Sequence, residues 1–277
     1  MGKSREGLTA SKPSSLTRSG LGLCLQWTEF DALLSDTLKA RHILEAKGAL
    51  LVRGLDLDVA GLRTLSSRFG PISPIDDIDH GEEVLVLPSD ENREGAVRGC
   101  GRLPLHTDGI LRGRQIDLIL LYCPRDYEGG DCGATIVCDQ RSASQTMPQV
   151  LRKELVERGL QYLAHDRAHF QSSYVEAWTP VPPFQVLRGE ERLTLAMDFN
   201  VGEPAAWRVR VAGCDETTSH RIMHQLEEHL CRPDYLYCHH WRRGDLLVID
   251  NVATLHGRSA IDPRNKRMIW RTQVVFS

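Results

Sequence analysis

The 277-residue sequence is short of several things, and each shortage narrows its chemistry. It has no basic surplus: 34 Lys plus Arg stand against 37 Asp plus Glu, a formal charge of -3. Duplex-binding proteins carry a clustered positive excess, so nucleic acid is set aside as a partner. Cysteine is sparse, eight residues at positions 24, 100, 123, 132, 138, 214, 231 and 238, and none of them forms the CxxC pair of a zinc knuckle. A disulfide scaffold is not expected, and a reducing, cytoplasmic setting fits. The opening MGKSREGLTASKPSSLTRSG has no apolar run, so neither a secretory signal nor a membrane span is expected there. Gly2 does not complete a myristoylation motif, because Glu6 stands where Ser or Thr is required. Repeats and an interdomain linker are also missing. A chain of this length buries about three quarters of its unfolded surface and folds without metal. A metal site here would serve chemistry.

Residues 1–20, rich in Ser, Gly and Lys, read as a flexible leader before one domain over 21–277. Apolar spacing predicts a helix over 29–46, stopped by Gly48, then a short buried strand at 49–52 and a second helix over 60–69 that ends at Gly70-Pro71. From Val84 the texture changes. Short apolar runs at 84–87, 116–122, 135–138, 193–199, 246–249 and 268–275 are separated by Gly, Pro and Asp clusters, the pattern of a β-sandwich or barrel. Helices are expected over 142–158 and 216–230. The irregular stretch 162–184, with Pro180, Pro182, Pro183 and the aromatics Phe170, Tyr174 and Trp178, reads as a lid.

His106 and Asp108 stand two apart, so in extended chain both side chains point to one side and can grip one ion. Far downstream, Gly244-Asp245 leads through Asp250-Asn251 to His256-Gly257-Arg258, which offers a third ligand. Two imidazoles and one carboxylate with open positions are the set used by non-heme Fe(II) oxygenases. Eleven residues past His256 stands Arg267, and four further on Arg271 lies inside an apolar run. A guanidinium there is costly unless paired, and its fork fits a carboxylate, so a dicarboxylate cosubstrate such as 2-oxoglutarate is the natural partner. Rival clusters are weaker. His165 with His169 and His220 with His224 lack the Glu of an HExxH protease. Cys231, Cys238, His239 and His240 fit no finger spacing, and Asp76, Asp77 and Asp79 read as a solvated loop.

With these residues in place, the sequence resembles the Fe(II)/2-oxoglutarate-dependent dioxygenases of the taurine dioxygenase type, related to clavaminate synthase-like proteins. The resemblance runs through the 48–53 strand, Arg68-Phe69-Gly70, His106-Thr107-Asp108, the Gly129-Gly130 turn leading to Thr135, and the block from Gly244 to Arg271. It implies an α+β, mainly β fold: a double-stranded β-helix, or jelly-roll, with N-terminal α/β elements and helical insertions. It implies His106, Asp108 and His256 as iron ligands, with Arg267 and Thr135 on the 2-oxoglutarate carboxylate. Arg271 matches a position that meets the substrate's anionic group, and Arg102 and Arg112 lie close enough in sequence to help. Two departures stand out. Asp131-Cys132-Gly133-Ala134 intervenes before Thr135, and Arg102 replaces the small polar residue of the taurine-binding relative, so taurine itself is not the expected substrate.

The expected activity is therefore hydroxylation or desaturation of an unactivated C-H bond in a small, carboxylate-bearing metabolite, with Fe(II) bound and 2-oxoglutarate and O2 as cosubstrates. Asp108 in place of a small residue speaks against halogenation. A zinc-dependent hydrolase on the same two-His-one-carboxylate set and a noncatalytic jelly-roll binding protein are the alternatives. Neither nucleic acid nor membrane is an expected partner. Free and carrier-protein-bound substrates both stay open, as does a homo-oligomeric state.

Overall fold

A computed structural model describes residues 14–75, 82–89, 99–126, 132–164, 177–197 and 207–276. The expected opening helix is two helices, α1 (Trp27–Leu34) and α2 (Thr37–Lys47). The break falls at Asp36, whose side chain accepts from the Lys39 N–H and caps a new helix. Apolar spacing ran across the break because Phe30, Leu34, Ala40 and Leu44 all enter one core. Gly48 ends α2 with φ of 75°, a left-handed conformation that suits glycine. Strand β2 (Ala49–Arg53) and helix α3 (Val59–Ser67) follow close to where they were expected.

A six-stranded sheet forms the spine. Its order is β1-β2-β13-β5-β15-β3, with β1 (Leu23–Gln26), β3 (Leu85–Pro88), β5 (Leu118–Tyr122), β13 (Leu246–Asp250) and β15 (Met268–Val274). Only the β1–β2 pair is parallel. Every residue of β5 and β13 is buried, which explains their unbroken apolar runs: both sheet faces are covered. Leu50, Leu120, Tyr122 and Val248 meet the α1–α3 layer. Leu51, Leu121, Leu247 and Ile269 point the other way.

That second face meets a four-stranded antiparallel sheet, β12-β6-β14-β4, made of β12 (Leu236–His239), β6 (Thr135–Cys138), β14 (Leu255–Arg258) and β4 (Leu103–His106). Val137 of β6 shares a core with Leu121 and Ile269. The far side of this sheet packs on α4 (Gln140–Gln145), α5 (Gln149–Arg158), α6 (Glu216–Leu230) and a small sheet of β11 (Trp207–Val211), β7 (Leu160–Ala164) and β8 (Thr179–Val181). The chain is thus mixed α/β and dominated by sheet. No helix among the described residues is long and apolar enough to cross a membrane.

Three expectations need correction. The helix over 142–158 is broken at Pro148, which caps α5. Of the strand expected over 193–199, Leu193 ends β10 (Glu190–Leu193), which pairs with β9 (Phe184–Leu187), Ala196 makes an isolated antiparallel bridge to His106, and residues 198–199 lie outside the described residues. Beyond β10, irregular backbone lies along β4, where the Thr107 N–H donates to the Leu195 carbonyl at 2.7 Å and the Met197 N–H to that of Leu105 at 3.0 Å. Burial in that crevice, not regular pairing, accounts for the apolar run. The stretch 162–184 is not one irregular loop, since its ends belong to β7, β8 and β9; residues 165–176 lie outside the described residues.

Candidate metal centre and cosubstrate pocket

β4 and β14 run antiparallel, and His106 stands opposite His256 in register, their ring centroids 4.2 Å apart. Gly257 makes this approach possible. A Cβ there would lie 2.7 Å from the Leu103 carbonyl oxygen, closer than side chains tolerate. Two residues past His106, the Asp108 carboxylate reaches both rings: Oδ1 is 3.3 Å from His106 Nε2 and Oδ2 is 3.7 Å from His256 Nε2. One donor atom from each of the three side chains lies within 4.8 Å of the others.

The protonation states suit a cation. His106 Nδ1 lies 2.9 Å from the Pro104 carbonyl oxygen; a carbonyl only accepts, so Nδ1 is the donor there and Nε2 is the ring atom turned to Asp108. Burial, reinforced by His106, pushes His256 down to about 3 and keeps it neutral. Burial alone would raise the Asp108 carboxyl. Arg271, followed by the two imidazoles, outweighs it and holds the group well below the usual carboxylate range. Two imidazoles and an ionised carboxylate within reach of one point fit a divalent metal.

Asn251, at the end of β13, holds Asp108 by its backbone. Its Oδ1 accepts from the Asp108 N–H at 2.9 Å, and its Nδ2 donates to the carbonyl oxygens of Asp108 at 3.1 Å and Ile116 at 2.8 Å. The sequence contains this signal in the Asp250-Asn251 pair before the His256 turn, but spacing alone does not reveal a clamp. Asp250 braces the same turn. Its Oδ1 accepts from the Val252 and Ala253 N–H groups, and Oδ2 meets Arg188 at 2.7 Å.

Arg267, Ile269 and Arg271 alternate along β15 and its approach, facing the interior between the two sheets. Arg271 pairs through Nη2 with Asp108 Oδ2, and its buried Nε–H has no hydrogen-bond partner among the described residues. Arg267 is buried and donates from Nε to the Gly133 carbonyl at 2.9 Å. Gly133 is another residue whose role sequence did not reveal: its φ is +74°, and a Cβ would stand 2.6 Å from Arg267 Cδ. Thr135 opens β6 and is buried. Beside it lies Arg258, whose guanidinium is pushed down to about 9 by burial and then by Arg267. Two neighbouring buried guanidinium groups make a site suited to an anion.

Not every expected residue joins this cluster. Arg102 forms an exposed ion pair with Glu227 of α6 at 2.6 Å. Arg112 ends a 3-10 turn, Ile110–Arg112, and its side chain lies outside the described set, as do His165, His169 and Asp76, Asp77 and Asp79. His220 and His224 are exposed on α6, each beside a glutamate. Among the described residues, the three ligand candidates are the one group of His, Cys, Asp and Glu that converges as a metal site would require.

The family described as "Taurine catabolism dioxygenase TauD, TfdA family" matches residues 20–273. The chain belongs to this family. It is accordingly an iron- and 2-oxoglutarate-dependent dioxygenase, and the hydrolase and noncatalytic alternatives fall away. Among its relatives, 3-((Z)-2-isocyanoethenyl)-1H-indole synthase of Fischerella ambigua is 25% identical over 195 residues, 69% of this chain and 70% of that protein. Pentalenolactone F synthase of Streptomyces avermitilis is 23% identical, covering 96% and 95% of the two chains. In three dimensions the chain is similar to PvcB, an Fe, alpha-ketoglutarate dependent oxygenase from an isonitrile synthetic pathway, with a TM-score of 0.70 at 20% identity over 99% and 96% of the chains.

Proposed function

We propose that this dioxygenase hydroxylates or desaturates an unactivated C-H bond of a small, carboxylate-bearing compound, amino-acid-like or an intermediate of secondary metabolism, while 2-oxoglutarate becomes succinate and CO2. One observation carries the reading: His106, Asp108 and His256 converge on a single point, and two buried arginines, Arg271 of β15 and Arg267 just before it, face the same interior. In this reading the three residues hold Fe(II), which supplies oxygen activation coupled to decarboxylation of the cosubstrate. Arg267 and Thr135 hold the distal carboxylate of 2-oxoglutarate. Arg271 keeps Asp108 ionised with one nitrogen and offers its remaining N–H to the substrate's anionic group. Arg102, engaged by Glu227 at the surface, takes no part, and Arg112 is a second candidate for the same anion. The two facing sheets support a jelly-roll, built as one domain over 21–277.

The names of the relatives support an amino-acid-derived substrate, since one forms an isocyanoethenyl indole and another acts in an isonitrile pathway. The sparse cysteines, with no CxxC pair, are consistent with a cytoplasmic enzyme. The test is a mass-spectrometric screen of carboxylic acids with Fe(II), 2-oxoglutarate and oxygen. Gain of one oxygen or loss of two hydrogens, matched by substrate-dependent succinate, is the expected result. Turnover confined to neutral compounds would remove the anion requirement.

A further inference from the structure

We infer that Trp241 is a positioning residue for the cosubstrate: it fixes the direction in which the Thr135 hydroxyl donates its proton. The inference rests on the reading that Thr135 and Arg267 hold the distal carboxylate of 2-oxoglutarate.

An indole N–H can only donate, whereas a threonine hydroxyl can both accept and donate. Trp241 Nε1 donates to Thr135 Oγ1 at 3.1 Å. The Thr135 oxygen is thereby the acceptor, and its own proton must find another partner. Thr135 is 3% exposed and donates to no acceptor among the described residues. A buried hydroxyl proton without an acceptor is costly, so the site is built for an acceptor that arrives from outside. The neighbours make that acceptor anionic. Arg258 is the register partner of Thr135 on β14, and Arg267 bonds the Gly133 carbonyl two residues before Thr135.

Trp241 is itself held rigidly. It is buried, and its ring stands edge-on to His239, with centroids 4.4 Å apart at 80°. His239 is the register partner of Thr135 on β12, so the strand that flanks the hydroxyl also carries the wall for the indole. His239 Nε2 lies 3.3 Å from Asp245 Oδ2, and Asp245 is gripped by Arg53 from β2 at 2.8 Å. A chain of contacts therefore runs from Arg53 through Asp245, His239 and Trp241 to the hydroxyl. With the indole bond in place, Thr135 meets a carboxylate as a preset donor; without it, the hydroxyl can turn and accept from another group. Preorganisation of this kind appears as affinity for the ligand that needs the donor.

The experiment measures binding without turnover. Zn(II)-loaded protein is titrated calorimetrically with 2-oxoglutarate and, separately, with pyruvate, which has the 2-oxo acid end and no distal carboxylate. Trp241→Phe keeps the aromatic bulk and removes the N–H. It should weaken 2-oxoglutarate by about five- to tenfold, within the range of one ordinary hydrogen bond, and leave pyruvate unchanged. Thr135→Val should weaken 2-oxoglutarate at least as much and abolish the further effect of Trp241→Phe, whereas Thr135→Ser should restore it. Equal weakening of both ligands by Trp241→Phe, or additive losses in the double variant, would overturn the inference. Thr135→Val with wild-type 2-oxoglutarate affinity would instead overturn the placement of the cosubstrate. Should Trp241→Phe fail to fold, the wild-type indole N–H resonance of Trp241 serves: it should shift with 2-oxoglutarate and not with pyruvate, and an indifferent signal contradicts the role.

Discussion

Arg271 and Asp108 form a part-buried ion pair in which a strand arginine grips one oxygen of a carboxylate whose other oxygen faces His106. The pair explains how an acidic side chain stays ionised between two imidazoles under burial, and it gives the arginine two tasks. One nitrogen orients the metal-ligand candidate. The unpartnered Nε–H is available to a substrate anion.

Replacing Arg271 with Ala should therefore lower kcat/KM for the true substrate by well over tenfold, because breaking a buried, hydrogen-bonded charge pair typically costs about 2 to 5 kcal/mol. Metal affinity should fall as well, by a smaller factor. Arg271→Lys keeps a charge without the fork, and should recover metal affinity more fully than substrate affinity. Steady-state kinetics beside metal titration checks both, and wild-type values in Arg271→Ala would remove the arginine from the site.

Arg267→Met should raise the 2-oxoglutarate requirement by more than tenfold, on the same scale of about 2 to 5 kcal/mol, while Fe(II) affinity stays near wild type. A cosubstrate titration at saturating iron decides it. An unchanged curve would move the anchor to Arg258, the guanidinium packed beside it.

The three ligand candidates were legible in the sequence and converge in the fold: His106 closes β4, Asp108 follows two residues on in the next turn, and His256 lies across the ladder from His106. It also located β2, β13 and α6, whose apolar runs or helical spacing match the layers that cover them. What stayed hidden was contact made by the fold. Asn251 clamps Asp108 from 143 residues away, and Gly133 is small because Arg267 lies over it. The split at Asp36 was invisible for a different reason: both helices feed one core, so periodicity continues while the backbone does not.

Asn251→Ala should weaken metal binding although Asn251 supplies no ligand atom. Loss of the amide leaves the Asp108 N–H and the Ile116 carbonyl without partners in a buried turn, a penalty of about 1 to 3 kcal/mol for each such group. Global stability drops too, so the informative readout is metal affinity at a temperature where the variant remains folded. An affinity equal to wild type there would make Asn251 a fold residue alone.

Acidification should unfold the metal-free protein in a particular window. Unfolded, His256 titrates near its ordinary value of about 6.5, whereas the folded group is pushed down to about 3. Between these values the unfolded chain binds more protons, so stability falls as pH falls, by up to about 1.4 kcal/mol per pH unit. Urea midpoints of metal-free protein should therefore decline from about pH 6.5 to about pH 5, and His256→Gln should flatten that decline. Equal slopes for wild type and variant would mean that His256 does not titrate on unfolding.

The most direct measurement is succinate formation at limiting Fe(II), which needs no knowledge of the substrate because slow uncoupled turnover also converts 2-oxoglutarate. Wild-type protein should produce succinate only when Fe(II), 2-oxoglutarate and oxygen are all present, and Asp108→Ala and His256→Ala should produce none. Succinate at the wild-type rate from both variants, or wild-type protein that consumes no 2-oxoglutarate under any condition, would contradict the assignment of the metal centre.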